Sequence, residues 1–198
     1  LGEILERIGK EQLDTLAKTC IFEPLGMSET TFRPRFSDNI APTEEDEWRG
    51  RIVQGEVHDE NAFSLGGVAP HAGVFSTARS LALFPRMLLS GRDGSDKSLL
   101  SAGAIKHFTC RANLVSGSNR ALGWDTPGDE SSCGRYFSES SFGHTGFTGT
   151  SLWIDPEHDV FVILLTNRVH PRRDNQKITA LRPAFHDAVM TALDMTVS

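Results

Sequence analysis

Phe142-Gly-His-Thr-Gly-Phe-Thr-Gly-Thr-Ser-Leu-Trp-Ile-Asp-Pro156 is the stretch on which the fold turns. Its aromatic and β-branched residues favour extended backbone, while the glycines interrupt it, so it predicts strand, turn, strand. Asp155-Pro-Glu-His-Asp159 makes the next turn, and Val160-Phe-Val-Ile-Leu-Leu-Thr166 follows, apolar on both faces. A run of that kind predicts an interior strand. Three strands joined by short turns run antiparallel.

Helical patterns surround this core. Downstream, Ile178, Leu181, Phe185, Ala188, Val189, Ala192 and Leu193 outline a closing helix, which Pro183 should kink or restart. Upstream, Leu81, Leu83, Phe84, Met87, Leu88 and Leu89 give a second helix its apolar side, with Ser76 or Thr77 as N-cap. Ser101 to Phe108 predicts a short helix, and Gly91 to Ser98 a polar connection. The chain opens on Ile4, Leu5, Ile8, Leu13, Leu16, Ala17 and Cys20 at helical intervals, with Gly9 separating two short helices. Pro24 should end the second of them at Glu23, because the residue before a proline is pushed away from helical backbone. From Arg33 to about Gln54 the sequence predicts a surface excursion, its run Glu44-Glu-Asp-Glu47 forming a solvated face. The expected class is α/β of the α+β type, an antiparallel sheet flanked by helices.

The 198 residues suffice for one domain, or for most of a larger one. With 26 Asp and Glu against 20 Lys and Arg, no basic patch offers itself to nucleic acid. The longest apolar run, Val160 to Leu165, is far short of the roughly 18 residues of a membrane helix. Cys20, Cys110 and Cys133 lack metal or redox spacing, and an odd count leaves room for one bridge at most. His58, His71, His144, His158 and His170 are widely separated, so no metal and no cofactor is expected. Gly-x-Ser-x-Gly does not occur.

Two segments could carry chemistry. His144-Thr145-Gly146 combines an ionisable ring, a hydroxyl and a glycine that admits another chain to the backbone. A strand edge of that composition can hold a carbonyl oxygen or carboxylate through backbone N–H groups. On pattern alone, Gly146 and Gly149 fit turn or bulge positions equally well, and His144 a surface place. Gly66 to Gly73, containing His71, is a glycine-rich loop without the Gly-Lys-Ser/Thr of a phosphate loop; it suits the rim of a cleft or a tight loop on a sheet.

Taken in order, Ile21-Phe-Glu-Pro-Leu-Gly-Met-Ser-Glu-Thr-Thr-Phe32, Val57-His-Asp-Glu-Asn-Ala62, Leu65-Gly-Gly-Val-Ala69, His71-Ala-Gly-Val-Phe-Ser-Thr-Ala78, Phe142-Gly-His-Thr-Gly-Phe-Thr-Gly-Thr150 and Leu165-Thr-Asn167 resemble the serine β-lactamase and penicillin-binding-protein superfamily. Within it they are similar to the class C-like branch of D-alanyl-D-alanine carboxypeptidases and esterases. The resemblance implies acyl transfer by a Ser-x-x-Lys nucleophile, a Tyr-x-Asn/Ser second motif and a Lys-Thr-Gly or His-Thr-Gly third motif. His144-Thr145-Gly146 matches the third. By the same resemblance His144 and Thr145 orient substrate, the Phe147 amide is an oxyanion donor, and His71 and Gly149 touch substrate. The family also suggests a periplasmic or extracellular location.

The departures are equally informative. Ser-x-x-Lys is absent from the 198 residues; Thr15-Leu-Ala-Lys18 has the spacing in the wrong place. Ser37-Asp-Asn39 imitates a second motif by coincidence, and Tyr136-Phe-Ser138 falls too close to the third. The expectation is therefore that residues 1–198 are the C-terminal portion of a single serine-hydrolase domain. It lacks the N-terminal strands, and its partners are a small-molecule or peptide substrate and the missing N-terminal part. By itself it would not complete the reaction, since nucleophile and base lie outside it. An isolated chain would expose an apolar strand edge beside Val160 to Thr166 and associate with itself. The alternatives are a non-catalytic binding or regulatory module that keeps the cleft, and a metal-dependent hydrolase using the histidines.

Overall fold

The computed structural model describes residues 1–35, 39–92 and 98–196. The coincidental Ser37-Asp38 and most of the Gly91–Ser98 connection lie outside them. The chain divides into two units, Leu1–Phe84 with Val169–Asp174, and Pro85–Arg168 with Asn175–Ser198.

The first unit opens with α1 (Gly2–Gly9) and α2 (Leu13–Ala17), separated as the glycine suggested, although Lys10 takes the left-handed residue at φ 55°. The sequence expectation fails at Pro24. The chain stays helical through a π turn (Lys18–Phe22) into α3 (Glu23–Leu25), with Glu23 at φ −65° and ψ −50°. The Glu23 amide bonds back to Lys18 O, five residues away. That widened turn relieves the clash a proline makes with the carbonyl four residues before it. Gly26, at φ 72°, ends the helix.

A small ribbon follows, β1 (Glu45–Asp46) antiparallel to β2 (Arg51–Ile52). The acidic run is not the solvated face its composition predicts: Glu44 and Asp46 are buried. Arg173 supplies Nε 2.9 and 2.7 Å from the two Glu44 carboxylate oxygens, and His58 Nε2 lies 2.9 Å from Oε2. Asp46 faces Arg49 at 3.4 Å, both side chains enclosed. Charges enter a protein interior only when so partnered. Next, α4 (Glu60–Ser64) starts at Asp59, whose carboxylate accepts from the Ala62 amide. Thr77 caps α5 (Ala78–Leu81) by accepting from the Ser80 amide. A cluster of Val57, Ala62 and Ala69, flanked by Phe63 and Ala72, forms the core here.

After α6 (Leu83–Arg92), the second unit contains α7 (Ala102–Thr109), capped by the Ser101 hydroxyl, and the sheet β3 (Phe142–Thr145), β4 (Ser151–Asp155) and β5 (Val160–Leu164). The strands are antiparallel in the order β3-β4-β5. Among the described residues β5 is thus an edge, not the interior strand its apolar pattern suggests. The closing helix α8 (Ile178–Ala192) runs through Pro183 without restarting. The proline removes one backbone bond, and the packing of the helix outweighs it: Met190 joins Trp153, Cys133, Phe137 and Val162 in the core, with Phe185 and Val189 against them. Each such side chain contributes roughly 1.5–3 kcal/mol of burial. All three cysteines are free, so no bridge forms.

Candidate active site

The register of the sheet sorts the third motif onto two faces. Thr145 pairs with Ser151 and Gly143 with Trp153, so these four share the face that α8 covers. His144, opposite Leu152, points to the other face and is exposed. Gly143 is fixed by packing, since a Cβ there would overlap the Trp153 ring.

Backbone polarity alternates as well. The Gly146 amide donates to Thr150 O at 2.8 Å, toward β4. Gly143 turns the other way and exchanges two bonds with Asp125, at 2.9 and 2.8 Å. Thr145, two residues on, therefore directs its N–H and C=O along the same outer edge as Gly143. Its carbonyl accepts from His144 Nδ1 at 2.8 Å. A carbonyl only accepts, so Nδ1 is the donor in this bond.

Thr145 and Trp153 line a pocket of about 680 Å³ together with Asn119, Arg135, Arg182 and Asp187. Arg135 and Asp187 neutralise one another, with Nε 2.9 Å from Oδ2 and the Arg135 amide 2.6 Å from Oδ1. Arg182 has no carboxylate partner among the described residues; its Nη2 donates instead to Gly146 O at 2.6 Å and Thr150 O at 2.9 Å. Burial, and then the nearby Arg168 cation, lower its pKa below the ordinary arginine value. The same wall carries Arg120, paired with Asp125 at 2.6 Å, and the carboxylates Asp129 and Glu130, so the Thr145 hydroxyl and the Arg182 guanidinium sit in a lining of mixed charge.

Gly149 sits at φ 121°, and a Cβ there would press on Thr166 Oγ1 and the Arg168 amide. Its missing side chain serves the close approach of that segment. His71 belongs to the first unit, its Nε2 3.1 Å from Asp59 Oδ1. His144, Thr145, Gly146, Phe147 and Gly149 are thus gathered on one strand and turn, and His71 is not among them. Arg182 was missed in the sequence although a signal existed. Ile178, Arg182, His186 and Met190 recur every four residues, and three of them are buried, so a charge stands in the buried stripe of α8.

The family model "Beta-lactamase" matches residues 1–184. The chain belongs to the β-lactamase family. Among similar proteins are two each named "Putative D-alanyl-D-alanine carboxypeptidase". The one from Escherichia coli O157:H7 is 34% identical over 197 residues, covering 89% of this chain and 45% of its own length. The one from Salmonella gallinarum is 33% identical, covering 90% and 45%. The chain thus spans less than half the length of these curated relatives. Solved structures share the β-lactamase fold. A β-lactamase from Mycobacterium bovis has a TM-score of 0.65 at 22% identity, over 97% of this chain and 60% of its own. Simvastatin synthase from Aspergillus terreus scores 0.66 at 19% identity, over 96% and 53%.

Proposed function

We propose that residues 1–198 are the C-terminal portion of one serine-hydrolase domain whose whole cleaves an amide or ester through an acyl-enzyme, with peptides ending in D-alanine as the first substrate class. The outer edge of β3, carrying Thr145 C=O and continuing to the Phe147 amide beside a hydroxyl-and-guanidinium pocket, is the observation that carries this proposal. The carboxypeptidase names of the relatives support the substrate class. A peptide laid along that edge would place its terminal carboxylate toward the Thr145 hydroxyl. The serine supplied by the preceding part of the domain would attack the carbonyl carbon, driving an electron pair onto its oxygen. That oxygen would be held by the Phe147 N–H and the nucleophile's own N–H, donors worth on the order of 3 kcal/mol each. The amine or alcohol then leaves with a proton, and water releases the acyl group. His144 would orient substrate through Nε2, with Gly149 touching it as well. The same family membership underlies a periplasmic or extracellular location.

A second reading, a binding or regulatory module that keeps the cleft without chemistry, draws on the absence of Ser-x-x-Lys from these residues. A fluorescent penicillin and a nitrophenyl ester, applied to the gene product extended upstream of Leu1, separate the two. Acylation that falls at least tenfold in Thr145→Ala and His144→Ala supports the hydrolase. Specific binding without acylation supports the module.

A further inference from the structure

The turn between β3 and β4 is held to a degree that turns rarely are. Gly146 O accepts from Arg182 Nη2 at 2.6 Å, and Phe147 O from Arg168 Nε at 2.8 Å. Thr148 O accepts from the Arg168 amide at 2.8 Å, and Gly149 O from Thr166 Oγ1 at 2.6 Å. Thr150 O accepts from Arg182 Nη2 at 2.9 Å. Every carbonyl from Gly146 to Thr150 therefore has a donor supplied by the protein, where an exposed turn ordinarily leaves some to water. The Arg168 guanidinium also lies 4.3 Å from the centre of the Phe147 ring.

We propose that Arg182 is a positioning residue for acyl transfer: by holding the Gly146 carbonyl it sets the direction of the Phe147 N–H. This rests on the assignment of that amide as an oxyanion donor. In a planar trans peptide the C=O of one residue and the N–H of the next point in opposite directions. Gly146 O is held on the β4 side at 2.6 Å by the same nitrogen that holds Thr150 O, and more loosely by the Gly149 amide at 3.1 Å, so the Phe147 N–H is aimed to the opposite side. That is the outer edge of β3, where Thr145 directs its own polar groups. The guanidinium is fixed from behind by a 15-residue helix whose next turn places His186 in the core. Arg182 Nε is buried without a hydrogen-bond partner. An unpaired buried donor is costly, and it persists here on a side chain whose other end spans the turn. Preorganised dipoles need no reorganisation as charge develops, so their fixed direction is itself a source of rate.

A single nitrogen makes both bonds, which gives the test its discrimination: a lysine ammonium can donate to two carbonyls, and methionine to none. In the upstream-extended gene product, Arg182→Met is expected to lower kcat for a nitrophenyl ester about 100-fold, the effect of a misplaced oxyanion donor, with KM within about threefold. Arg182→Lys should recover most of that loss. A rise in KM at unchanged kcat, or equal loss in both variants, overturns the proposal. Phe147 N–H orientation, measured by residual dipolar couplings on the present chain, decides the matter even where the extended product proves inactive. It should be retained in Arg182→Lys and changed in Arg182→Met. An orientation identical in all three proteins overturns the positioning role, whereas inactivity of the extended wild type overturns only the hydrolase assignment.

Discussion

His186 Nε2 lies 3.1 Å from Ser151 Oγ beneath the first residue of β4, with both residues buried. Phe137 and Phe185 enclose the ring at centroid distances of 5.7 Å each. Its pKa is lowered to about 4 by burial first and by the Arg182 cation second, with Asp187 opposing. The neutral ring therefore belongs to the folded state. Stability is fully present above the unfolded value of about 6.5 and falls as pH drops through about 4, by on the order of 3 kcal/mol. Thermal melts from pH 7 to pH 4 should show this loss, and His186→Gln should flatten it. Parallel profiles for the two proteins would remove His186 as the cause.

Glu44 gives the opposite charge logic. Its carboxyl is held at about 2, chiefly by the Arg173 hydrogen bonds, against burial, with His58 adding to the effect. A carboxylate depressed in this way contributes stability above the unfolded pKa of about 4.5 that disappears as pH falls toward about 2. Glu44→Gln should cost about 2 kcal/mol at neutral pH, because the partial exposure of Arg173 lets solvent screen the pair. Denaturant titrations at pH 7 and pH 3 should show the difference between the two proteins narrowing at the lower value.

Gly143 allows no side chain. Gly143→Ala drives a methyl group into the ring of Trp153, and repacking of that kind costs about 1–3 kcal/mol. Tryptophan fluorescence during urea unfolding should report a lower midpoint for the variant. An unchanged midpoint would show that the strand yields more easily than its packing implies.

The outer edge of β5 has no strand beside it among the described residues, and its sequence is Val-Phe-Val-Ile-Leu. Unpaired apolar edges recruit other strands. Sedimentation velocity of the isolated chain should show concentration-dependent association, reduced in Phe161→Lys. A monodisperse monomer across the concentration range would refute the idea.

The strand, turn and strand at 142–155, a hydroxyl cap at Ser76 or Thr77, and the grouping of His144 with Thr145 and Gly146 were all legible in the sequence. They depend on neighbours within a few residues, where period, hydroxyl caps and glycine freedom operate. Pro24 and Pro183 misled because local rules cost one backbone bond and take no account of a π turn or of a helix held by its core contacts. The burial of Glu44 was invisible because Arg173 lies 129 residues away.

Sequence by itself determined the secondary structure around the third motif and, through motifs in order, membership of the family. Tertiary structure alone decided which charges are buried and that Arg182 spans the turn after Gly146. The physical reason is range. Propensity and alternation are written into adjacent residues, but a hydrogen bond from a guanidinium to a carbonyl 36 positions earlier exists only once helix and sheet have packed.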